Sequence, residues 1–142
     1  MNDENIDTAD ASEADGVDLA LSAAEEARAE ALRLAHGDIR VLQVGDHLWC
    51  VRKPKRAEFL RFKVEQKHAD MSVQVQAGEK LARACLVPFD AAVKVEDERL
   101  AFDQLGEDYP ACPELLAQAV VGMAYGPFEF RVRKVSPSPA SR

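Results

Sequence analysis

Few side chains in this sequence have the chemistry for catalysis or metal binding, and their spacing decides how far that chemistry goes. The histidines are His36, His47 and His68, and the cysteines are Cys50, Cys85 and Cys112. His47 and Cys50 stand as an H-x-x-C pair with no second half, whereas structural zinc needs four ligands. Cys50 lies in a strand-like run and Cys85 in a helix-like one, each between apolar neighbours, so both read as small buried hydrophobes. A nucleophilic cysteine needs a base beside it, and the spacing provides none. The acid clusters Glu96-Asp97-Glu98 and Glu107-Asp108 could act as acid/base pairs or hold a cation. They flank a short helix whose N-terminus favours negative charge in any case, so the solvated reading wins. Walker, G-x-G-x-x-G, G-x-S-x-G and H-E-x-x-H patterns are all missing from the chain. The expectation is a protein without catalytic residues, metal or cofactor.

The stretch with most functional content is basic. Between positions 52 and 67 stand Arg52, Lys53, Lys55, Arg56, Arg61, Lys63 and Lys67, against only Glu58 and Glu65. Trp49, Phe59 and Phe62 are interleaved with it, a pattern that could meet phosphates and stack on bases. The rest of the chain argues otherwise. The formal net charge is −7, and Asp3, Glu4, Asp7, Asp10, Glu13 and Asp15 account for most of it with no Lys or Arg before position 17. A nucleic-acid-binding domain is typically basic overall, so a protein partner is the favoured use of the stretch and nucleic acid the disfavoured one. The candidate partner-binding residues are Arg52, Lys53, Arg56, Phe59, Phe62, Lys63 and Lys67.

The 142 residues suffice for one domain with a real core. Three distant cysteines do not form a disulfide framework and suit a reducing compartment. No apolar run has the length of a membrane span, and the acidic start has no signal-peptide core. Residues 1–16 are too polar to offset their ordering entropy and are expected to be disordered, as is the Ser/Pro-rich end 136–142.

Between those ends the periodicity predicts an α+β domain over 38–135: a β-hairpin packed on about four helices, preceded by an Ala-rich helix over 17–36. That first helix has a stripe at Leu21, Ala24, Ala27/Arg28 and Ala31, and is expected to dock poorly or to serve a partner contact. Residues 38–53 form the hairpin, turning at Val44-Gly45-Asp46-His47. Pro54 stops the return strand and suits the first turn of the helix Lys55–His68. On that helix Ala57, Leu60 and Val64 share one stripe, with Phe59 and Phe62 opposite, so it is expected to be buried on two sides. Arg56, Lys63 and Lys67 form a basic ridge between the two.

The next helix, Ser72–Val87, carries the stripe Val73, Ala77, Leu81, Ala84 and a second stripe Val75, Ala82, Leu86, and ends at Pro88. Gly78 inside it suggests a close helix contact. Ala91–Val95 reads as a short strand or an irregular linker. A short helix Asp97–Leu105 turns Ala101, Phe102 and Leu105 inward and stops at Gly106. The last helix starts at Pro113, faces the core with Leu116, Ala119, Val120 and Met123, and closes at Gly126-Pro127. Phe128, Phe130 and Val132 alternate as in a short strand.

Arg52-Lys53-Pro54-Lys55-Arg56-Ala57-Glu58-Phe59-Leu60-Arg61-Phe62 resembles the R-[RK]-P-x-R-A-E-[FY]-x-R-F opening of small proteins encoded by tailed bacteriophages. Cys85-Leu86-Val87-Pro88 and the F-x-x-L-x-x-x-Y-P segment Phe102–Pro110 continue the likeness, and Gly126 ends it. The match spans about residues 46–126, and the acidic segment before it lies outside the pattern. Such proteins are similar to the tail assembly chaperones that keep the tape measure protein soluble while the tail tube polymerises. The resemblance implies a non-enzymatic role in phage morphogenesis, in the bacterial host cytoplasm or the virion, with other phage structural or assembly proteins as partners. It transfers no catalytic or ligand residue.

Overall fold

A computed structural model describes residues 20–128 and 131–135. Within them the fold is α+β. Helix α1 (Ala23–His36) leads into strands β1 (Ile39–Val44) and β2 (His47–Arg52). Helices α2 (Arg56–Gln66) and α3 (Met71–Ala84) follow, then strand β3 (Leu86–Pro88), α4 (Val95–Asp108) and α5 (Cys112–Ala124). The expected disordered segments 1–16 and 136–142 lie outside the described residues, as do residues 17–19 of the expected first helix.

The hairpin forms where the turn chemistry placed it. Val44 pairs with His47, so Gly45-Asp46 is a two-residue loop. Gly45 has φ 63°, which a hairpin loop of this length demands and which glycine alone adopts without strain. The sheet has a third strand that the periodicity did not separate from the helix before it. Helix α3 ends at Ala84, and Leu86–Pro88 runs antiparallel to β2, giving the order β1-β2-β3. The expected continuation of the helix to Val87 is therefore corrected. β2 has a free edge to satisfy, and the Arg52 N–H donates to the Cys85 carbonyl oxygen at 2.9 Å as the helix unwinds into the strand.

Strand alternation divides the sheet into two faces. Trp49, Val51 and Leu86 point into the larger core with Phe62, Leu81, Phe102, Leu116 and Val120. Cys50 and Val87 point the other way, to Phe89, Ala29 and Leu32. Helix α1 thus docks on the sheet, contrary to the expectation of poor docking, and its inward positions are Ala29 and Leu32 rather than Ala24, Ala27 and Ala31. A capping box fixes its start: the Ser22 hydroxyl accepts from the Glu25 N–H at 3.1 Å, and the Glu25 carboxylate accepts from the Ser22 N–H at 2.8 Å.

The other helices cover the opposite face. Val73, Ala77, Leu81 and Ala84 are the inward stripe of α3, as the spacing indicates, but Val75 is 73 % exposed and does not belong to a second buried stripe. A Cβ at Gly78 would sit 3.3 Å from the Ala117 Cβ, so the expected close contact is the α3–α5 crossing. Arg83 binds Asp103 through two bonds of 2.9 and 3.0 Å and clips α3 to α4. Residues 91–94 turn without forming a strand, and Val95 already begins α4. Helix α4 extends through Gly106 to Asp108, and Ala101 faces solvent while Phe102 is fully buried. Leu116, Val120 and Met123 of α5 are buried as expected. Phe128 and residues 131–135 form no strand; Phe130 lies outside the described residues.

Candidate functional site

Helix α2 carries most of the basic stretch, and its start is fixed by one salt bridge. The Arg52 guanidinium at the end of β2 meets the Glu58 carboxylate through two bonds of 2.9 Å. Arg52 also donates to the Ala84 carbonyl oxygen at 3.0 Å. Glu58 in turn accepts from the Lys55 N–H at 2.8 Å, one of the donors a helix start leaves unsatisfied. The Arg52 bond, with smaller help from Lys55, holds the Glu58 carboxyl down at about 2 against partial desolvation. The same bond raises Arg52. Arg52 is thus an internal cross-link between strand and helix.

The two aromatic residues of α2 point inward. Phe62 is only 6 % exposed. Phe59 is half-buried, its ring 6.0 Å from Phe62 and 6.4 Å from Tyr125. Lys63 Nζ lies 5.9 Å from the Phe59 ring centre, within cation–π range. The other stripe, Ala57, Leu60 and Val64, faces solvent, with Leu60 48 % and Val64 68 % exposed. The expectation of a helix buried on two sides is therefore corrected. Both stripes are apolar, and the larger Phe side chains win the core because they remove more surface from water.

The outcome is one outward face with a consistent character. Leu60 and Val64 lie among Arg56, Arg61, Lys63 and Lys67, all exposed. Glu58 is engaged with Arg52, and Glu65 lies half-buried with Lys80 Nζ at 3.5 Å. No acid is left on the outward side of α2. Lys53 is exposed beside the helix start, and its N–H donates to the Asp38 carbonyl oxygen at 3.0 Å. Of the candidate partner-binding residues, Lys53, Arg56, Lys63 and Lys67 therefore share this accessible surface. Arg52 and Phe62 hold the fold, and Phe59 lies between the two groups. Leu60, Val64 and Arg61 lie on the same surface without being among those candidates; the signal for them is the presence of two competing apolar stripes on one helix of mixed charge.

The residues with metal or nucleophile chemistry are dispersed. His47 and Cys50 lie on opposite faces of β2 and cannot converge. His47 Nε2 instead meets Glu98 Oε2 at 2.9 Å. His68 Nδ1 accepts from the Asp70 N–H at 2.9 Å at the start of α3. Among the described residues no three His, Cys, Asp or Glu side chains come together as a metal site. Burial pushes the thiols of Cys50 and Cys85 up to about 12, partly opposed by Arg28 at Cys50 and by Arg52 at Cys85. Both are fully buried, which fits their reading as small hydrophobes. Among the described residues, no helix is long and apolar enough to cross a membrane.

No family model matches the chain, and no curated protein matches it. Among solved structures it is similar to an uncharacterised protein from Bacillus stearothermophilus. The TM-score is 0.54 at 17 % identity, over 75 % of this chain and 99 % of that one. At that identity the likeness concerns the fold alone, and it supports a compact α+β architecture shared by two divergent sequences.

Proposed function

We propose that this chain is a non-enzymatic bacteriophage protein of tail assembly, a chaperone that shields an apolar segment of the tape measure or another tail protein. The carrying observation is the outward face of α2, where Leu60 and Val64 stand exposed among Arg56, Arg61, Lys63 and Lys67. A chaperone for a long helical client needs apolar surface that the client covers, and a charged surround that keeps the free protein soluble and steers encounter. The likeness of residues 46–126 to the phage proteins supports the same reading. A nucleic-acid role for the basic face is weakened by the burial of Trp49 and Phe62, two of the three aromatic residues interleaved with the basic stretch.

Co-expression with a tape measure protein tests the proposal. The wild-type chain is expected to co-purify with it. Leu60→Asp/Val64→Asp, which alters only exposed positions, is expected to keep its circular dichroism and lose the client. Undiminished capture by that variant, or by the charge reversal of Arg56, Lys63 and Lys67, would overturn the assignment of the face. Peptides of the chain in purified particles would favour a virion component over a chaperone, and a salt-dependent shift of DNA or RNA would favour the nucleic-acid role.

A further inference from the structure

A cleft of about 460 Å³ lies at the outer edge of β3, away from the α2 face, between α1 and the start of α4. Arg28, Arg52, Arg99 and His36 line it together with apolar side chains such as Leu32 and Val93, and no acid does. Arg52 is neutralised by Glu58. The other two arginines have backbone partners only. Arg28 donates to the carbonyl oxygens of Phe89 at 2.6 Å and Pro88 at 3.2 Å, and Arg99 Nε to that of Arg83 at 3.3 Å. Neither has a carboxylate within ion-pair distance among the described residues, and both keep Nη donors unused. Two partly buried guanidiniums facing one cleft without a counter-charge form a receptor for carboxylates.

The chain itself contains a complementary segment. Residues 1–18 hold Asp3, Glu4, Asp7, Asp10, Glu13, Asp15 and Asp18 with no Lys or Arg, and Ile6 and Val17 as apolar members. The segment ends four positions before the Ser22 cap of α1, and Arg28 lies within two turns of that helix start. An extended chain covers ~3.3 Å per residue, so the eight residues before Asp18 suffice to reach back along α1 to the cleft. Tethering so close raises the local carboxylate concentration to about the millimolar range, where two weak charge-assisted contacts suffice for occupancy. We infer that residues 1–18 dock in cis in this cleft, with carboxylates on Arg28 and Arg99 and their few apolar side chains toward Leu32 and Val93. The occupant is acidic peptide, and the chain's own is the nearest source.

Spin labelling of the full-length chain decides it. Cys50 and Cys85 are fully buried, so Ser12→Cys in a Cys112→Ser background takes a nitroxide at one place. In 20 mM salt the label is expected to broaden the amide signals of Ala31, Ala35, Leu86 and Val93 at least threefold over those of α5. The effect should disappear in 500 mM salt, in Arg28→Gln/Arg99→Gln, and when all seven carboxylates are changed to their amides. The last variant alters nothing in the described fold and so separates loss of docking from loss of structure. Equal broadening in that variant would overturn the inference, as would no broadening at low salt. Broadening that appears only between labelled and unlabelled molecules mixed together would also overturn it, since the contact would then join two copies.

Discussion

The Arg52 guanidinium and the Glu58 carboxylate face each other through two parallel bonds of 2.9 Å, and this one pair joins β2, the start of α2 and, through the Ala84 carbonyl, the end of α3. The residues belong to the most basic stretch of the chain, yet their charge serves the interior of the fold. Such fork-to-fork geometry is the strong form of the ion pair.

Acid sensitivity follows from that pair. The Glu58 carboxyl is lowered from 4.5 to about 2 in the folded protein, so the folded state binds this proton less readily than the unfolded one. Its contribution is fully present above pH 4.5 and is lost as pH falls through about 2. A shift of that size sets a ceiling of about 3 kcal/mol, which partial solvent exposure reduces. In urea denaturation at pH 7, Glu58→Gln is expected to cost about 1–3 kcal/mol. The gap between wild type and variant should close as the pH approaches 2.

His47 supplies the partner for the one buried charged side chain among the described residues. Glu98 is 2 % exposed, and His47 both bonds its Oε2 and lies 4.3 Å from the Trp49 ring centre. His47→Ala leaves the carboxylate buried without that bond and is expected to destabilise the protein by about 2–4 kcal/mol. Combining it with Glu98→Gln should cost less than the sum of the two single changes. Additive costs in a double-mutant cycle by thermal denaturation would show that the contact contributes nothing.

The two stripes of α2 should separate cleanly by mutation. Phe62→Ala empties a core position and is expected to cost about 3–5 kcal/mol. Leu60→Ala and Val64→Ala remove exposed side chains and should each change stability by less than about 0.5 kcal/mol. Urea midpoints of the three variants measure the contrast directly.

Thiol reactivity offers a check on packing. Cys50 and Cys85 are fully buried with thiols pushed up to about 12, whereas Cys112 is half-exposed at the first turn of α5. With a disulfide reagent at pH 8, one thiol is expected to react promptly and two only at the rate of unfolding. Peptide mapping should find the prompt label on Cys112.

The features legible from sequence alone were those set by local chemistry. Gly45-Asp46 specifies the hairpin loop, and Leu116, Val120 and Met123 specify one face of α5. Gly78 signals a close crossing because an unsupported glycine inside a helix needs a reason. The features that stayed hidden were decided by partners distant in sequence. Leu86 and Val87 continue the apolar spacing of α3, and only the unpaired edge of β2 makes them a strand. Gly106 reads as a helix stop, yet α4 runs through it because a Cβ there would press on the Pro113 ring at 3.3 Å, so the missing side chain admits α5. The candidate site was legible as a basic helix but not as a surface. Charge alone does not reveal that Arg52 turns inward, or that Leu60 and Val64 lose the core to Phe59 and Phe62. Arg28 falls on the small-residue stripe of the first helix in the sequence, and only the fold brings it to a cleft with Arg99.

Helix α3 passes into β3 through Cys85 alone, and that residue's carbonyl oxygen is bonded to Arg52, 33 positions earlier in the chain. With no slack at the joint, a displacement of the α2–α3 pair is delivered to the sheet as shear along the β2–β3 ladder rather than absorbed by a loop. Neither half can loosen while the other stays native, and the strand cannot pair until the helical pair has brought Leu86 home. The body is therefore expected to melt as a single cooperative unit, with one calorimetric transition spanning helices and sheet.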